Sequence, residues 1–570
     1  MRLVIYTCIT GGYDTLSQPA QPPTWVDFIC FVPYGEGERQ NGVWQIKELP
    51  PLQINDKRLL SRYPKFLPHL LLNGYDYSLW IDANIVVRSS EFYDILSGLV
   101  LKGERFAAVC HPLRDDVYDE AEACIRICRA GSDEMKKVCD FLISNDYPRH
   151  SGLTENNVIF RSHNDTAVMG VDLMWSELFN RYPYRDQLLL GMCLLSNGVK
   201  PSYIFPEGIN ARNSPLLEYK VHHTDSRKIT RIVKQLKARL QTRDFVKYIN
   251  LKLHDVETVD DSLAIVIPAY KAHFFRQTLE SLAEQTDKRF HVYVGDDASK
   301  DDIESICNEF SERLNITYVR FPENLGRQDL VSHWTRCVSL ADEDWVWLFS
   351  DDDVLDSGCV EAFHRFDKSG CDLIHFNVDV IDSDGNVVER SRFPKQVSSK
   401  DFIRRRFGRS MRSYAVEYVF RRKIFLRLGG FVNLDLAWNA DDATWVRLSD
   451  YRGIHTIDGP KVHWRRSGVN ITGTADSRTA IRKINASLDY LEWLNSEGYR
   501  CIGARLRWFV NTLFSYRKSL DPSQICEYME RFAAVDGRKL VYSFEKIYFI
   551  AKALKRHEGI YLSDLRQKKR

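Results

Sequence analysis

The sequence predicts an α/β protein built from two tandem layered units with Rossmann-like, mostly parallel sheets, followed by a helical C-terminal region. Three observations carry this reading. At 570 residues the chain is too long for one hydrophobic core. Strand-like runs alternate with amphipathic helical runs twice over. From about Ala480 the apolar residues Ile481, Ile484, Leu488 and Leu491 recur only at helical spacing. The expected boundaries are 1–225, 226–261, 262–474 and 475–570.

In the first unit, strands are expected at Leu3–Thr7, Asp27–Val32, Tyr77–Asp82, Phe106–Cys110 and Asn157–Arg161. Helices are expected at Lys57–Leu72, Val117–Arg129, Asp133–Ser144 and Arg185–Ser196. Residues 224–261 then crowd Arg231, Lys234, Lys237, Arg239, Arg243 and Lys247 among Ile232, Val233, Leu236 and Leu240. That pattern is a basic helical connector, with either a solvated face or a peripheral contact to an anionic membrane. In the second unit, strands are expected at Leu263–Pro268, Phe290–Gly295 and Asp344–Phe349, and helices at His273–Gln285 and Gln328–Leu340. The tail Gln567–Arg570 is basic.

Composition narrows the function classes. A net charge of +2 gives no nucleic-acid footprint, so no nucleic-acid partner is expected. Leu3-Val4-Ile5-Tyr6 follows Met1-Arg2 directly, which is a strand pattern and not a signal peptide. No apolar run approaches the roughly 20 residues of a membrane span. The 13 cysteines are scattered without a CxxC pair, as in a reducing compartment. The cytoplasm is the expected location, including the inner face of a membrane.

Chemistry concentrates where strands of the second unit stop. Asp296-Asp297 follows one strand and Asp351-Asp352-Asp353 another. In open α/β sheets, ligands bind beyond the carboxyl ends of strands. A single Asp run fits a turn or a cap. Two runs separated by a full αβ passage fit a site in which a hard divalent cation, Mn²⁺ or Mg²⁺, offsets their charge and grips a diphosphate. Asp441-Asp442 opens a further helix, where it fits either a cap or a general base. His463 fits a metal ligand or a phosphate contact.

At these residues the chain resembles the inverting glycosyltransferase family 2, with its GT-A fold, over about 262–474. Val266-Ile267-Pro268-Ala269-Tyr270 resembles the opening strand, Gly295-Asp296-Asp297-Ala298-Ser299 the nucleoside element, and Glu323-Asn324-Leu325-Gly326 the Asn-x-Gly loop. Ser350-Asp351-Asp352-Asp353 resembles the Asp-x-Asp metal motif, and Gly429-Gly430-Phe431 with Asp441-Asp442 the segment carrying the base. The family often has Gly where Ala298 stands. The resemblance implies Pro268, Tyr270, Asp296, Asp297, Asn324, Arg327 and Asp352 around the nucleotide sugar. It implies Asp351, Asp353 and His463 on the metal and Asp442 as base, with Asp441 as its alternative. The expected donor is a nucleoside-diphosphate sugar, a UDP-sugar foremost, and the expected acceptor a glycan or lipid-linked glycan.

The first unit carries Gly11-Gly12-Tyr13-Asp14 after its first strand, Trp80-Ile81-Asp82-Ala83-Asn84 after another, and Arg62 and Lys65 on one helix face. Asp82 and Asn84 fit a weakened Asp-x-Asp. His111, Asn156 and Asp186 complete the candidates. Together these segments resemble the glycosyltransferase-like domain of plant mucilage-synthesis and bacterial polysaccharide-biosynthesis proteins, over about 1–225. The two resemblances imply a bifunctional glycosyltransferase of surface-polysaccharide synthesis. The alternatives are one active domain with a carbohydrate-binding N-terminal module, a non-catalytic glycan-binding scaffold, and a nucleotidyltransferase.

Overall fold

The computed structural model describes residues 2–11, 15–182, 184–206, 208–220, 228–255, 260–466, 476–499 and 504–536. Residues 12–14 of the glycine turn and the tail Gln567–Arg570 lie outside them. The chain forms two compact units, Met1–Leu253 and His254–Arg570.

The first unit contains β1 (Leu3–Cys8), β2 (Val26–Val32), β3 (Arg39–Asn41), β4 (Trp44–Glu48), β5 (Tyr77–Ile81), β6 (Ile85–Val87), β7 (Phe106–Cys110), β8 (Thr154–Arg161), β9 (Ser202–Tyr203) and β10 (Leu217–Tyr219). Eight of them make one mixed sheet in the order β3-β4-β2-β1-β5-β8-β7-β9, and β6 pairs with β10 apart from it. The strands β4, β2, β1 and β5 run parallel, whereas β8 runs antiparallel to both β5 and β7. Every residue of β1 and β8 is buried, as expected for strands covered on both faces. The expected helix Lys57–Leu72 is two, Lys57–Phe66 and Pro68–Leu71, because Pro68 cannot continue the first and starts the second. Asp56 caps the first by accepting the amides of Arg58 and Leu59. Strand β4 and the helices Glu91–Leu101 and Thr166–Arg181 were not expected from the sequence.

The expected connector forms a helix, Lys228–Leu253, that packs on the helices Val117–Arg126 and Ser132–Ser144 of the first unit. Ala238, Phe245, Ile249 and Leu253 are buried at helical spacing, and the Tyr248 hydroxyl donates to Asp140 at 2.6 Å.

The second unit contains β11 (Leu263–Ala269), β12 (His291–Asp296), β13 (Ile316–Arg320), β14 (Trp345–Leu348), β15 (Val354–Leu355), β16 (Leu373–Ile381), β17 (Val387–Arg390), β18 (Gln396–Val397), β19 (Tyr418–Arg421) and β20 (Ile454–Arg465). The sheet runs β13-β12-β11-β14-β19-β16-β20-β15. Its first four strands are parallel, so β12 and β14 end on the same edge with their aspartates. Antiparallel β19 then reverses the direction between β14 and β16. The described C-terminal helices, Ser477–Ser496, Arg505–Ser515 and Pro522–Asp536, belong to this same unit. Among the described residues, no helix is long and apolar enough to cross a membrane.

Candidate active site

The shared edge of β11, β12 and β14 opens into a cleft of about 800 Å³. It is lined by Pro268, Tyr270, Asp297, Asn324, Arg327, Asp351, Asp352, Asp353, Asp441 and Asp442, so all three acidic segments meet in one space. Asp297 is held by donors from within the chain. It accepts the amides of Leu325 and Gly326 at 2.9 Å each, together with Arg336, whose guanidinium lies 3.9 Å over the Phe321 ring. Its role is therefore to fasten the Asn-x-Gly loop at the cleft wall. A Cβ on Gly326 would come within 2.7 Å of Asp297 Oδ2, which is why that position carries no side chain. Asn324 accepts the amide of Arg327 and sets the same turn.

Asp296 is not in the cleft. It is fully buried and accepts the Ser299 amide, the Tyr318 hydroxyl and Arg320 at 2.6–2.7 Å, so its carboxylate stabilises the strand end beneath the site. His463 is also displaced from its expected role. Alternation along β20 puts Trp464 in the cleft, while His463 pairs with Asp356 at 2.7 Å. Ala298 has a left-handed backbone, φ 52°, which accounts for the glycine common at that position in the resembling family.

The Asp triplet is held in unequal ways. Asp351 accepts the amides of Tyr270 and Lys271 at 2.9 and 2.8 Å, and burial followed by the charge of Asp352 raises its carboxyl to about 6. Asp353 is fully buried. One oxygen accepts the Arg465 amide at 2.6 Å and the other has no partner. Burial and Asp352 push its carboxyl well above the usual range. Arg465, itself buried, also holds the Asp352 carbonyl at 2.8 Å and so supports the triplet from below. Among the described residues, no three His, Cys, Asp or Glu side chains form a complete metal cage. An orphaned carboxylate oxygen beside two further carboxylates does fit a hard cation that takes its remaining ligands from a diphosphate.

Asp441 and Asp442 open the helix Ala440–Ser449. Leu436, Ala437 and Asn439, just before it, are all left-handed, a concentration of strain of the kind found at functional sites. Asp442 is 3% exposed and bound by the Arg406 fork at 2.7–3.0 Å. Asp441 accepts the Asp442 amide, and the nearby Arg406 guanidinium forks onto Asp442. Burial and then the charge of Asp442 raise its carboxyl to about 7. Tyr414 and Trp464 stack in the cleft with ring centroids 4.2 Å apart.

In the first unit four candidates converge beyond β5. Lys65 is buried and contacts Asp186 at 2.6 Å and Asp82 at 4.0 Å, and Arg62 reaches Asp186 at 3.6 Å. Three others serve elsewhere. The Asn84 side-chain nitrogen donates to the Lys220 carbonyl at 2.9 Å, and the Asn84 backbone carbonyl accepts the Lys220 amide, so Asn84 ties the end of β10 beside β6. His111 Nδ1 accepts the amides of Leu113 and Arg114, and the ring faces Glu120 at 3.7 Å. Asn156 accepts the Thr154 hydroxyl, while its amide nitrogen is buried without a partner.

Residues 264–429 match the family "Glycosyl transferase family 2", and residues 1–201 match "TOD1/MUCI70, glycosyltransferase-like domain". The chain carries two glycosyltransferase-family domains. It is 24% identical over 215 residues to "Probable hexosyltransferase MUCI70" of Arabidopsis thaliana, covering 33% of this chain and 36% of the relative. It is 46% identical over 66 residues to "Chondroitin synthase" of Escherichia coli, covering 11% of this chain and 10% of the relative. The chain thus spans about a third and a tenth of the length of these relatives. Among solved structures, S. aureus TarS 1-349 in complex with UDP-GlcNAc aligns at 14% identity and a TM-score of 0.33, over 48% of this chain and 90% of that one. GalNAc-T7 with UDP, GalNAc and Mn²⁺ aligns at 10% and 0.30, over 47% and 54%.

Several polar partners in the family 2 domain carry no sequence signal. Arg406 is the last of three consecutive arginines on the helix Ser399–Phe407, and only the fold selects it for Asp442. Arg336 and His333, one helical turn apart, reach Asp297 across the cleft wall. Arg465 lies two residues beyond His463 on β20, and it meets the triplet through its backbone amide and its guanidinium, contacts that only the pairing of distant segments creates.

Proposed function

We propose that the family 2 domain transfers a hexosyl or related sugar from a nucleoside-diphosphate donor, a UDP-sugar foremost, to a glycan or lipid-linked glycan, with inversion, in surface-glycan synthesis. The observation that carries this reading is the single cleft joining Asp297, the Asp351–Asp353 triplet and the Asp441–Asp442 pair. The acceptor oxygen attacks the anomeric carbon as the bond to the diphosphate oxygen breaks. The electron pair leaves with the diphosphate, and the acceptor proton passes to a carboxylate on the opposite side of the sugar.

Asp351 and Asp353 would hold Mn²⁺ or Mg²⁺, and the bound ion supplies positive charge to the leaving diphosphate. Arg406 occupies both oxygens of Asp442, whereas the raised carboxyl in the cleft is that of Asp441, so the base falls to Asp441, with Asp442 and Arg406 positioning it. The loop fastened by Asp297 orients the nucleoside. The Tyr414–Trp464 pair offers an apolar wall to a sugar ring.

The TOD1/MUCI70-like domain is proposed as a second transferase, supported by its family match; the alternative is a glycan-binding module. Arg239, Arg243 and Lys247 are exposed on the helix Lys228–Leu253, which supports peripheral contact with an anionic membrane at the cytoplasmic face.

The test is to incubate the full chain with single nucleotide sugars, Mn²⁺ and glycan acceptors, and to follow the released phosphates. Nucleoside diphosphate release that Asp353→Asn abolishes is expected. Pyrophosphate release points to nucleotidyl transfer. Absence of turnover with every common UDP-, GDP- and CDP-sugar would leave a binding scaffold.

A further inference from the structure

Residues 382–413, between β16 and the Tyr414–Trp464 stack, carry nine lysines and arginines against four aspartates and glutamates. That is a net +5 in a chain whose total is only +2. Arg406 pairs with Asp442, and from its other terminal nitrogen it donates to the Met411 carbonyl at 3.2 Å. The next residue, Arg412, lines the cleft. Its loop is therefore tied to the side of the Asp441–Asp442 pair, the side from which an acceptor must attack.

Arg412 is 53% exposed and lies beside the Tyr414 hydroxyl. Its Nε meets one Glu389 oxygen at 2.7 Å, and Arg466, 54% exposed, reaches the other at 3.7 Å. Strand β17, the loop before Tyr414 and the residue after β20 thus bring two guanidiniums to one carboxylate. The Arg466 amide donates to the Ile381 carbonyl at 2.8 Å, which fixes its place at that junction. Glu389 neutralises one charge and orients the Arg412 fork, and the second charge stays at the rim. Arg409, three residues earlier in the loop, is exposed and has no carboxylate partner among the described residues. The carboxylates of the cleft belong to the triplet, the base pair and the loop anchor Asp297, so this rim is the positive margin of an acidic floor. A guanidinium beside a stacked aromatic pair matches a sugar ring that bears an acidic group.

We propose that the acceptor of the family 2 domain is an anionic glycan, with a sugar ring against Tyr414 and Trp464, its acidic group on Arg412, and Arg466 extending the same positive rim. This rests on the reading of the cleft as a glycosyltransferase site. The acidic group is a uronic acid carboxylate or a phosphodiester, since both present oxygens that a guanidinium fork binds. Arg412 is then a specificity-determining residue that selects charge on the acceptor and leaves the chemistry to Asp441 and the triplet.

Calorimetric titration of the full chain, with UDP and Mn²⁺ present, separates the possibilities. The probes are an oligosaccharide containing hexuronic acid, the same oligosaccharide with its carboxyls reduced to hydroxyls, and a glycerol-phosphate oligomer. At least one charged probe should bind roughly tenfold more tightly than the reduced one, and the difference should shrink as salt rises towards about 1 M. The tighter of the two charged probes identifies the acidic group. Arg412→Gln should remove the preference and Arg412→Lys should keep part of it, with a thermal melt of each variant guarding against a folding defect. Equal binding of charged and reduced forms, or binding of no probe, would overturn the proposal. So would a preference untouched by both Arg412→Gln and Arg466→Gln. An oligonucleotide of equal charge that competes as well as the glycan would mean plain polyanion adhesion and overturn it too. Transfer to neutral acceptors alone would sink the anionic acceptor and leave glycosyl transfer standing. Charge-selective glycan binding without turnover of any donor would keep the anion site and sink the transferase reading.

Discussion

Asp297 shows how one carboxylate can hold a loop in place. Three donors converge on it, two of them amides of the loop that walls the cleft. Gly326→Ala would drive a methyl group against one of its oxygens and shift that wall. The expected outcome is a donor KM raised by roughly tenfold to a hundredfold, with melting temperature little changed. With Asp441 as the proposed base, the pH response follows from its carboxyl. Its carboxyl titrates near 7 and accepts a proton only when ionised, so kcat should rise with pH through about 7. Asp441→Asn should lower kcat by about two to four orders of magnitude while UDP binding persists. An Asp442→Asn variant with that signature, in place of Asp441→Asn, would return the base to Asp442. At position 298 the left-handed backbone favours glycine, and Ala298→Gly should stabilise the chain by about 0.5–1 kcal/mol, readable in chemical denaturation.

At the level of elements, two helices meet at the cleft through one ion pair. The helix Ser399–Phe407 supplies Arg406 and the helix Ala440–Ser449 supplies Asp442. Removing the guanidinium leaves a carboxylate that is 3% exposed without its partner. Arg406→Ala should therefore cost about 3 kcal/mol in thermal unfolding, lowered from a fully buried pair because Arg406 is 24% exposed. The strands bearing the acidic clusters were legible because they are continuous apolar runs ending in charge, as at Val292–Asp297. The helices Glu91–Leu101 and Thr166–Arg181 were harder to find, since the first is apolar nearly all round and shows little contrast between faces. Strand β4 alternates over only five residues, too few to stand out.

Across the whole molecule, the two domains predict two separable transfers. Asp353→Asn should remove one product and Arg62→Ala the other, in a coupled assay analysed by mass spectrometry. A chain that makes only one product, lost in Asp353→Asn and kept in Arg62→Ala, supports the glycan-binding module. The sequence conveyed that Asp297 and the Asp351–Asp353 triplet lie on one edge, because parallel strands deliver their ends there, while Asp441 and Asp442 reach the cleft from a helix. It did not convey which neighbours neutralise them. Arg406, Arg465 and Lys65 are brought to their aspartates by contacts at separations of 36, 112 and 121 residues, beyond any local pattern.

The antiparallel pair β6–β10 bears on where the chain can be cut. The TOD1/MUCI70 match stops at residue 201, yet β6 finds its hydrogen-bonding partner at Leu217–Tyr219, and Asn84 finds Lys220. A fragment trimmed to the matched segment would bare a strand edge of three buried apolar residues, Ile85–Val87, and invite self-association. A fragment carried through Leu253 keeps both that pairing and the helix against Asp140.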